Sequence, residues 1–315
     1  MQAAVVTTYG PPEVVRVVDI PMPLPRADEV LVRVVAAAVT SGDARIRAAR
    51  FPSGFGVVAR LALGLTKPRR AVLGGVFSGV VEAVGDKVTG FTPGEAVCGM
   101  AGTRMGAHAA FISVPARRLA HVPAGVSHDD AAGVLFGGST ALHFLRTKAK
   151  VQPGQSVLVN GASGAVGTNA VQLAVHFGAT VTAVTSAANA GLVTSLGATA
   201  AIDYATTDLA AITERFDVVF DTVGNISIAS GRRLLAPGGT LVLAVAGLGE
   251  TLRARGNVAA GPAPERAVDF EFLLGLVADG SLTVVHDQQF ALADIVDAHR
   301  RVDSGRKRGN LIVHP

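Results

Sequence analysis

Residues 157–167, with the sequence VLVNGASGAVG, combine an apolar strand, a glycine-rich turn and the start of a helix. A second apolar strand follows at 180–186, within about 30 residues, which is the context of a βαβ unit that binds a dinucleotide. Gly161 suits the tight turn, Gly164 lets backbone N–H groups approach a pyrophosphate, and Gly167 lets the helix lie close to the strand. The spacing is GxxGxxG rather than GxGxxG, so a glycine turn without a ligand stays open as the alternative. The pattern predicts a dinucleotide-binding Rossmann unit.

The end of the second strand indicates which dinucleotide binds. Residues 185–189 read TSAAN and lack the Asp or Glu that holds the ribose 2′-OH of NAD about 20 residues after the glycines. No Asp, Glu, Lys or Arg occurs anywhere in 151–202. The missing carboxylate removes the repulsion that would exclude a 2′-phosphate, although no cationic partner replaces it. We therefore expect NADP(H), held by neutral hydrogen bonds from Ser186, Asn189 and Tyr204.

Strands and helices alternate from about residue 127 onward, and these strands are apolar throughout. The alternation predicts a doubly wound parallel sheet with helices on both faces. The region before it contains short strands joined by turns, such as 29–39, and predicts a β-rich, barrel-like domain. The last part, beginning with 269–280, is expected to return to short strands, with one helix through Arg301 among them, and to pack on the first domain. We predict an α/β chain with a β-rich domain at 1–123, a nucleotide-binding domain at 124–265 and a C-terminal segment at 266–315 that returns to the first domain.

Charge and composition disfavour several other classes of protein. The chain carries 28 Lys and Arg against 24 Asp and Glu, and its basic residues occur as scattered pairs in a sequence with no Trp and two Tyr. Nucleic-acid binding is therefore unlikely as a function, and the Arg pairs are interpreted as solvated surface. The single cysteine, Cys98, excludes an intramolecular disulfide and is expected to be a small buried residue. No secretory signal and no unbroken apolar stretch of about 20 residues is visible, so we expect a cytoplasmic protein without a membrane span.

Seven segments of the sequence, the glycine-rich loop among them, form a pattern together that none of them would form alone. They are 73–85 (LGGVFSGVVEAVG), 91–95 (FTPGE), 138–142 (GSTAL), the 161–167 loop, 195–198 with 202–204, 216–224 (FDVVFDTVG) and 309–313 (GNLIV). Together they resemble the medium-chain dehydrogenase/reductase superfamily, and within it the zinc-free quinone oxidoreductases related to zeta-crystallin. The resemblance covers essentially the whole chain. It implies a GroES-like substrate domain beside the Rossmann domain, and a homodimer.

The positions of the family's zinc ligands indicate that this chain needs no metal. Zinc-dependent members carry Cys in a V-C-x-x-D segment, His in a G-H-E segment and a thiol or carboxylate before a G-x-T segment. Here Thr40, Gly75 and Phe136 stand at those positions, and none of them coordinates zinc. We expect hydride transfer to an acceptor that hydrogen bonds alone activate. Quinones and enones suit this chemistry because conjugation spreads the developing negative charge.

The resemblance also implies site residues. Thr40 stands where the family has an asparagine that lines the quinone site, Asp43 matches a family aspartate, and Arg45 and Phe51 replace tyrosines of the substrate pocket. We expect Thr40 or Ser41 to donate a hydrogen bond to the acceptor oxygen, with solvent supplying the proton, while Asp43 either assists catalysis or fixes the surrounding turn. The expected cofactor contacts are Thr140, Gly161, Ala162, Ser163, Gly164, Ala165, Val166, Gly167, Ser186, Asn189, Tyr204, Thr222, Val245 and Asn310. For Thr140, Thr222, Val245 and Asn310, packing is an equal alternative.

These features predict an NADPH-dependent, zinc-independent reductase of quinones or α,β-unsaturated carbonyls. A dedicated enoyl or enone reductase of a biosynthetic pathway is one alternative, because the substituted pocket positions permit it. A second is a non-catalytic NADPH-binding sensor or nucleic-acid-binding protein, since a fold alone does not prove catalysis. The apolar, glycine-containing segment 48–70 is expected to be either a flap over the substrate or a surface helix.

Overall fold

The computed structural model describes all residues, 1–315, and arranges them around two large sheets. The strands are β1 Gln2–Val6, β2 Val15–Asp19, β3 Glu29–Ala38, β4 Val76–Val84, β5 Ala96–Met100, β6 Phe111–Pro115, β7 Leu119–His121, β8 Ser156–Asn160, β9 Thr180–Thr185, β10 Ala200–Asp203, β11 Phe216–Asp221, β12 Leu235–Leu243, β13 Val258–Ala260, β14 His286–Ala291 and β15 Asn310–His314. The α-helices are α1 Ser41–Ala48, α2 Gly56–Leu63, α3 His128–Leu142, α4 Ala165–His176, α5 Ala190–Ser195, α6 Ile228–Arg233, α7 Leu248–Arg253, α8 Ala267–Ala278 and α9 Ile295–Asp303. None of these helices has the length and apolar character that a bilayer crossing requires.

The second half of the chain forms a six-stranded parallel sheet in the order β10-β9-β8-β11-β12-β13. Its central strands are apolar because both faces are covered. Val157 and Val159 of β8 belong to one core cluster, whereas Leu158 between them belongs to another on the opposite face. The strand order places β8, which ends at the glycine-rich turn, between β9 and β11 at the centre of the sheet. The predicted α/β class with a Rossmann-type sheet is confirmed.

The first part of the chain forms an antiparallel sheet with a different core. Strands β3, β4, β5 and β7 pair in that order, β6 also pairs with β3, and β1 and β2 form a separate ribbon. The C-terminal strand β15 pairs with β3 and carries β14 on its other edge, so the end of the chain completes the sheet that its beginning started. Residues of both regions, among them Val32, Phe77 and Leu311, share one apolar cluster.

Helix α3 packs against both parts of the molecule. Its start is fixed by Ser127, whose Oγ accepts a hydrogen bond from the backbone N–H of Asp130 at 3.1 Å. The helix contacts β3, β4 and β5 on one side and α4 and α8 on the other, and it continues as a π-helix over His143–Ala149. Because α3 shares one apolar cluster with residues of both sheets, it marks no sharp division between the two parts, and the boundaries at 123/124 and 265/266 stay a prediction.

The prediction of short strands was wrong for 269–280, which the structure folds into helix α8. Phe270, Leu273 and Leu274 recur at helical spacing and are fully buried in the cluster that also contains residues of α3 and α4. An apolar stripe at positions i, i+3 and i+4 covers a neighbouring helix, whereas a half-buried strand would need strict alternation. Helical periodicity therefore decides this segment, and only the residues after it return to strands.

The segment 48–70, expected to be either a flap or a surface helix, contains the short helix α2 at the surface. Val57 and Leu61 of α2 are 74% and 55% exposed. The segment is tied to its surroundings by polar contacts: Tyr9 Oη donates to the carbonyl of Gly64 at 2.7 Å, and the backbone N–H of Leu248 in α7 donates to the carbonyl of Ser53 at 2.8 Å. These contacts attach the segment to the β-rich part at one end and to the Rossmann part at the other.

Cys98 lies on β5 with no exposed surface, and burial raises the pKa of its thiol to about 12. Because the thiolate is the reactive form, we expect the folded protein to resist a disulfide-exchange reagent at pH 8 and the protein unfolded in guanidinium to react with one equivalent at once. The measurement is the release of the reagent's chromophore with and without denaturant. Rapid reaction of the folded protein would contradict this burial.

Candidate active-site cleft

A cavity of about 1280 Å³ lies where the two sheets face each other. One wall comes from the start of α1, the opposite wall from the glycine-rich turn after β8, and a third from the loop between α9 and β15. These three regions meet because Gly309 of the last loop forms a parallel bridge with Gly164 of the glycine-rich turn, and its N–H donates to the carbonyl of Ser163 at 2.8 Å. The cavity therefore contains residues from both ends of the chain.

The glycine-rich turn has the geometry of a phosphate cradle. Gly161 has a φ of +79°, and a Cβ atom at Gly167 would lie 2.1 Å from the carbonyl oxygen of Gly161. At Gly164 the nearest atom to a Cβ would be 3.5 Å away, so that this position is open toward the cavity. Helix α4 begins directly after Gly164 without a side-chain cap, which leaves its first N–H groups and its positive dipole end facing the cavity. These residues fit the pyrophosphate of a dinucleotide.

The end of β9 forms a neutral, hydroxyl-rich part of the wall. Ser186, Asn189 and Tyr204 all line the cavity, as the sequence predicted for the 2′-phosphate end of the cofactor. Ser163 connects this part to the glycine-rich turn, because its Oγ accepts hydrogen bonds from Thr185 Oγ1 at 2.9 Å and from Asn189 Nδ2 at 3.2 Å. No carboxylate of this strand end reaches the cavity wall.

Asp221, at the end of β11, holds the loop that closes the floor of the cavity. This fully buried carboxylate accepts hydrogen bonds from Asn160 Nδ2 at 2.8 Å and from the backbone N–H groups of Val223, Gly224 and Ile226 at 2.9–3.1 Å. Asp221 is not among the predicted site residues. The acid at the end of the short strand FDVVFD was the available signal.

The predicted catalytic residues Thr40 and Ser41 lie at the start of α1, in the wall formed by this helix. A capping box distinguishes the hydrogen bonding of their two hydroxyl groups. Thr40 Oγ1 donates to Asp43 Oδ2 at 2.6 Å and accepts from the Asp43 N–H at 3.2 Å, while Asp43 also accepts from the N–H groups of Thr40 and Gly74. The hydroxyl hydrogen of Thr40 is therefore occupied inside the protein. Ser41 lines the same wall and its hydroxyl has no protein partner.

Cationic side chains surround the cavity, and most of them were not predicted. Besides Arg45 they are Arg215, Arg233, Arg301, Arg306, Lys307 and Arg308, against one acid, Asp208. Burial lowers the pKa of Lys307 to about 8, although Asp287 opposes the shift. The Arg pairs had been interpreted only as solvated surface, whereas Arg233 and Arg301 contribute to this wall. The many basic residues in 300–308, directly before Gly309, were the sequence feature that could have indicated the C-terminal cations of this wall.

Six of the predicted site residues do not line the cavity. Ala162 and Gly167 are buried behind the glycine-rich turn, and Asp43 is buried behind Thr40. Thr140 uses its hydroxyl to donate to the carbonyl of Phe136 at 2.8 Å, and Val245 packs beside Gly224. Phe51 lies in the loop between α1 and α2, away from the cavity wall. The predicted residues in the wall are Thr40, Ser41, Arg45, Gly161, Ser163, Gly164, Ala165, Val166, Ser186, Asn189, Tyr204, Thr222 and Asn310.

Comparisons with known proteins agree with this architecture. A family model described as alcohol dehydrogenase GroES-like domain matches residues 26–124, and one described as zinc-binding dehydrogenase matches 196–313. A quinone oxidoreductase of Pseudomonas aeruginosa is 30% identical over 98% of this chain and 97% of its own. A 2-methylene-furan-3-one reductase of Solanum lycopersicum is 29% identical, over the whole chain and 79% of the relative. The structure of mycobacterial Rv1454c complexed with NADPH superimposes with a TM-score of 0.83 at 28% identity, covering both chains completely.

A Rossmann sheet with a phosphate cradle, facing a GroES-like sheet across a cleft, defines an oxidoreductase of the dinucleotide-dependent type. The chain belongs to the medium-chain dehydrogenase/reductase superfamily, in its quinone oxidoreductase group. The family resemblance of the sequence motifs is thereby confirmed.

Proposed function

We propose that the protein is an NADPH-dependent, zinc-independent reductase that transfers hydride to a quinone or an α,β-unsaturated carbonyl compound. The observation that carries the proposal is the free hydroxyl of Ser41, which lines the same cavity as the phosphate cradle at Gly161–Gly164 and has no protein partner. A hydroxyl in this position suits a carbonyl oxygen that gains negative charge during reduction. The names of the Pseudomonas and tomato relatives support the two acceptor classes.

The choice of NADPH rests on the adenosine end of the cleft. Ser186, Asn189 and Tyr204 offer neutral donors there, the strand end carries no acid, and the cationic wall favours an additional phosphate. The mycobacterial neighbour, solved with NADPH, supports the same cofactor. The glycine-rich turn and the start of α4 would hold the pyrophosphate. When bound, NADPH supplies the hydride that reduces the acceptor.

Zinc independence is supported by the side chains at the family's ligand positions. Thr40 and Phe136 line the cavity where a thiolate and a third ligand would stand, and Gly75 replaces the histidine. No group of three or more His, Cys, Asp or Glu side chains in the chain is arranged to bind a metal ion. Charge on the acceptor oxygen would then be stabilised by hydrogen bonding rather than by a Lewis acid.

The roles of the α1 residues follow from their hydrogen bonds. Asp43 fixes the first turn of α1 through Thr40 and Gly74, and this turn presents Ser41 to the cleft. Ser41 donates to the acceptor oxygen as the enolate or hydroquinone anion forms, and solvent supplies the proton that completes the product. Thr40 and Asp43 are therefore positioning residues in this proposal, and Ser41 is the catalytic one.

The test is a titration of the purified protein with NADPH and NADH, followed by addition of a benzoquinone or a simple enone. We expect tighter binding of NADPH and its oxidation on adding either acceptor. Ser41→Ala is expected to lower kcat by roughly 10- to 100-fold with little change in NADPH affinity, because it removes one donor to the developing charge. Thr40→Ser, which keeps the capping hydroxyl, is the matched control and should retain activity.

Other outcomes would discriminate among the alternatives. Preference for NADH would contradict the roles of Ser186, Asn189 and Tyr204. Reduction of enones without reduction of quinones would favour a dedicated enone reductase, and binding without any oxidation would favour a sensor. Full activity of Ser41→Ala would remove Ser41 from the mechanism. The homodimer and the cytoplasmic location stay predictions, which sedimentation and cell fractionation would test.

A further inference from the structure

Arg45 occupies a place in the cleft that the reaction described above does not use. It lies one helical turn after Ser41 on α1, and residues at i and i+4 share one face of a helix. Both side chains line the cavity, whereas Asp43 and Arg47 are buried on the other side of the helix. Arg45 and Ser41 therefore lie on the same wall of the cavity.

Arg45 differs from the neighbouring cations of the same chain segment in having no counter-charge. Arg47 and Arg50 both pair with Asp303. Arg45 forms no salt bridge and no side-chain hydrogen bond, although it is partly buried and burial alone lowers its pKa. The one acid in the cavity wall, Asp208, accepts a hydrogen bond from the N–H of Ala210 in its own turn. A desolvated cation is unfavourable unless an anion compensates it.

The cofactor phosphates are a poor candidate for that anion. The pyrophosphate is assigned to the start of α4, where Gly309 bridges to Gly164 and brings the cations of 306–308 beside it. Arg45 belongs to the opposite wall, next to the hydroxyl that faces the acceptor. A neutral quinone or a simple enone in the cleft would leave its charge without a partner.

We propose that the natural acceptor is an α,β-unsaturated carbonyl compound that carries an ionised carboxylate, which Arg45 binds while Ser41 contacts the reacting carbonyl oxygen. This inference rests on the proposed reductase function and specifies its substrate class. A guanidinium binds a carboxylate through two parallel hydrogen bonds, so it fixes the orientation of the acceptor as well as its affinity. Arg45 is thus a specificity-determining residue.

The experiment compares two acceptors that share the same enone, the ionised trans-acetylacrylate and its uncharged methyl amide, with saturating NADPH. The wild-type protein is expected to reduce the acid with a kcat/KM about 10- to 100-fold above that of the amide, mainly through KM. Arg45→Met should remove this preference by lowering kcat/KM for the acid and sparing the amide, whereas Arg45→Lys should keep part of it. Arg50→Met, an exposed cation on the same chain segment and outside the cavity, is the matched control and should leave the ratio unchanged.

Binding gives a second readout that does not need turnover. Levulinate, the saturated acid, should change the fluorescence of bound NADPH at lower concentration than its amide does, and Arg45→Met should abolish the difference. Equal use of acid and amide by the wild-type protein would overturn the inference and leave the reductase function standing. A weaker affinity of Arg45→Met for NADPH itself would assign Arg45 to the cofactor instead. Failure of both acceptors and of both saturated compounds would overturn the inference, and it would overturn the proposed function only if benzoquinone and the simple enone also left NADPH unoxidised.

Discussion

Replacing Asp221 with alanine is expected to lower the free energy of unfolding by about 3–5 kcal/mol and to abolish NADPH binding. The carboxylate is fully buried and accepts hydrogen bonds from four donor groups, three of them the backbone N–H groups of Val223, Gly224 and Ile226. Removing it leaves these donors and one N–H of the Asn160 amide without their acceptor at a fully buried position. The loop that they hold forms part of the cavity wall, so stability and cofactor binding should fall together.

Asp217 provides the matched control for this prediction, because it lies at the other end of the same strand. It is only partly buried and accepts hydrogen bonds from the N–H and the hydroxyl of Ser156 at 2.8 and 3.0 Å. Asp217→Ala should therefore cost about 1 kcal/mol and leave NADPH affinity unchanged. Denaturant unfolding and fluorescence titration of both variants measure the difference. Equal destabilisation by the two substitutions would show that strand position, rather than the buried network, determines the effect.

The Rossmann half could be predicted because its signals are local. An apolar strand, glycines at 161, 164 and 167, and a second apolar strand occur within one stretch of sequence, and each residue type has one structural reason to be there. Segment 269–280 shows the limit of such reasoning. Its apolar residues were assigned to short strands by their position near the end of the chain, whereas their helical spacing and the neighbouring α3 decide the structure.

The cleft was predictable only where its residues come from those local motifs. The cations of 306–308 reach the glycine-rich turn because β15 pairs with β3 and Gly309 bridges to Gly164, a contact between distant parts of the chain that no local pattern records. Thr40 and Ser41 were equivalent candidates in the sequence. The capping box that separates them was visible as Thr-x-x-Asp before a helix, and it assigns Thr40 to positioning.

Gly167→Ala and Gly164→Ala are expected to separate two requirements of the phosphate cradle. The first is close packing of α4 on β8, and the second is open space for the pyrophosphate. A Cβ atom at Gly167 would lie 2.1 Å from the carbonyl oxygen of Gly161 and 2.6 Å from Cα of Ala162, both backbone atoms that cannot move without shifting α4 away from β8. We expect this variant to lose about 2–4 kcal/mol of stability and most of its NADPH affinity. At Gly164 a Cβ meets no atom closer than 3.5 Å, so Gly164→Ala should fold normally and still bind NADPH poorly, because the methyl group occupies the space of the pyrophosphate.

The control for both substitutions is Gly191→Ala in α5, where a Cβ would have no neighbour within 4 Å. Alanine there should raise stability by about 0.5–1 kcal/mol, because it restricts the unfolded chain, and should leave the cofactor affinity unchanged. Thermal unfolding and NADPH titration of the three variants give the comparison. If Gly164→Ala kept its full affinity, the pyrophosphate would have to bind away from the start of α4, and the roles of the facing walls of the cleft would have to be reassigned.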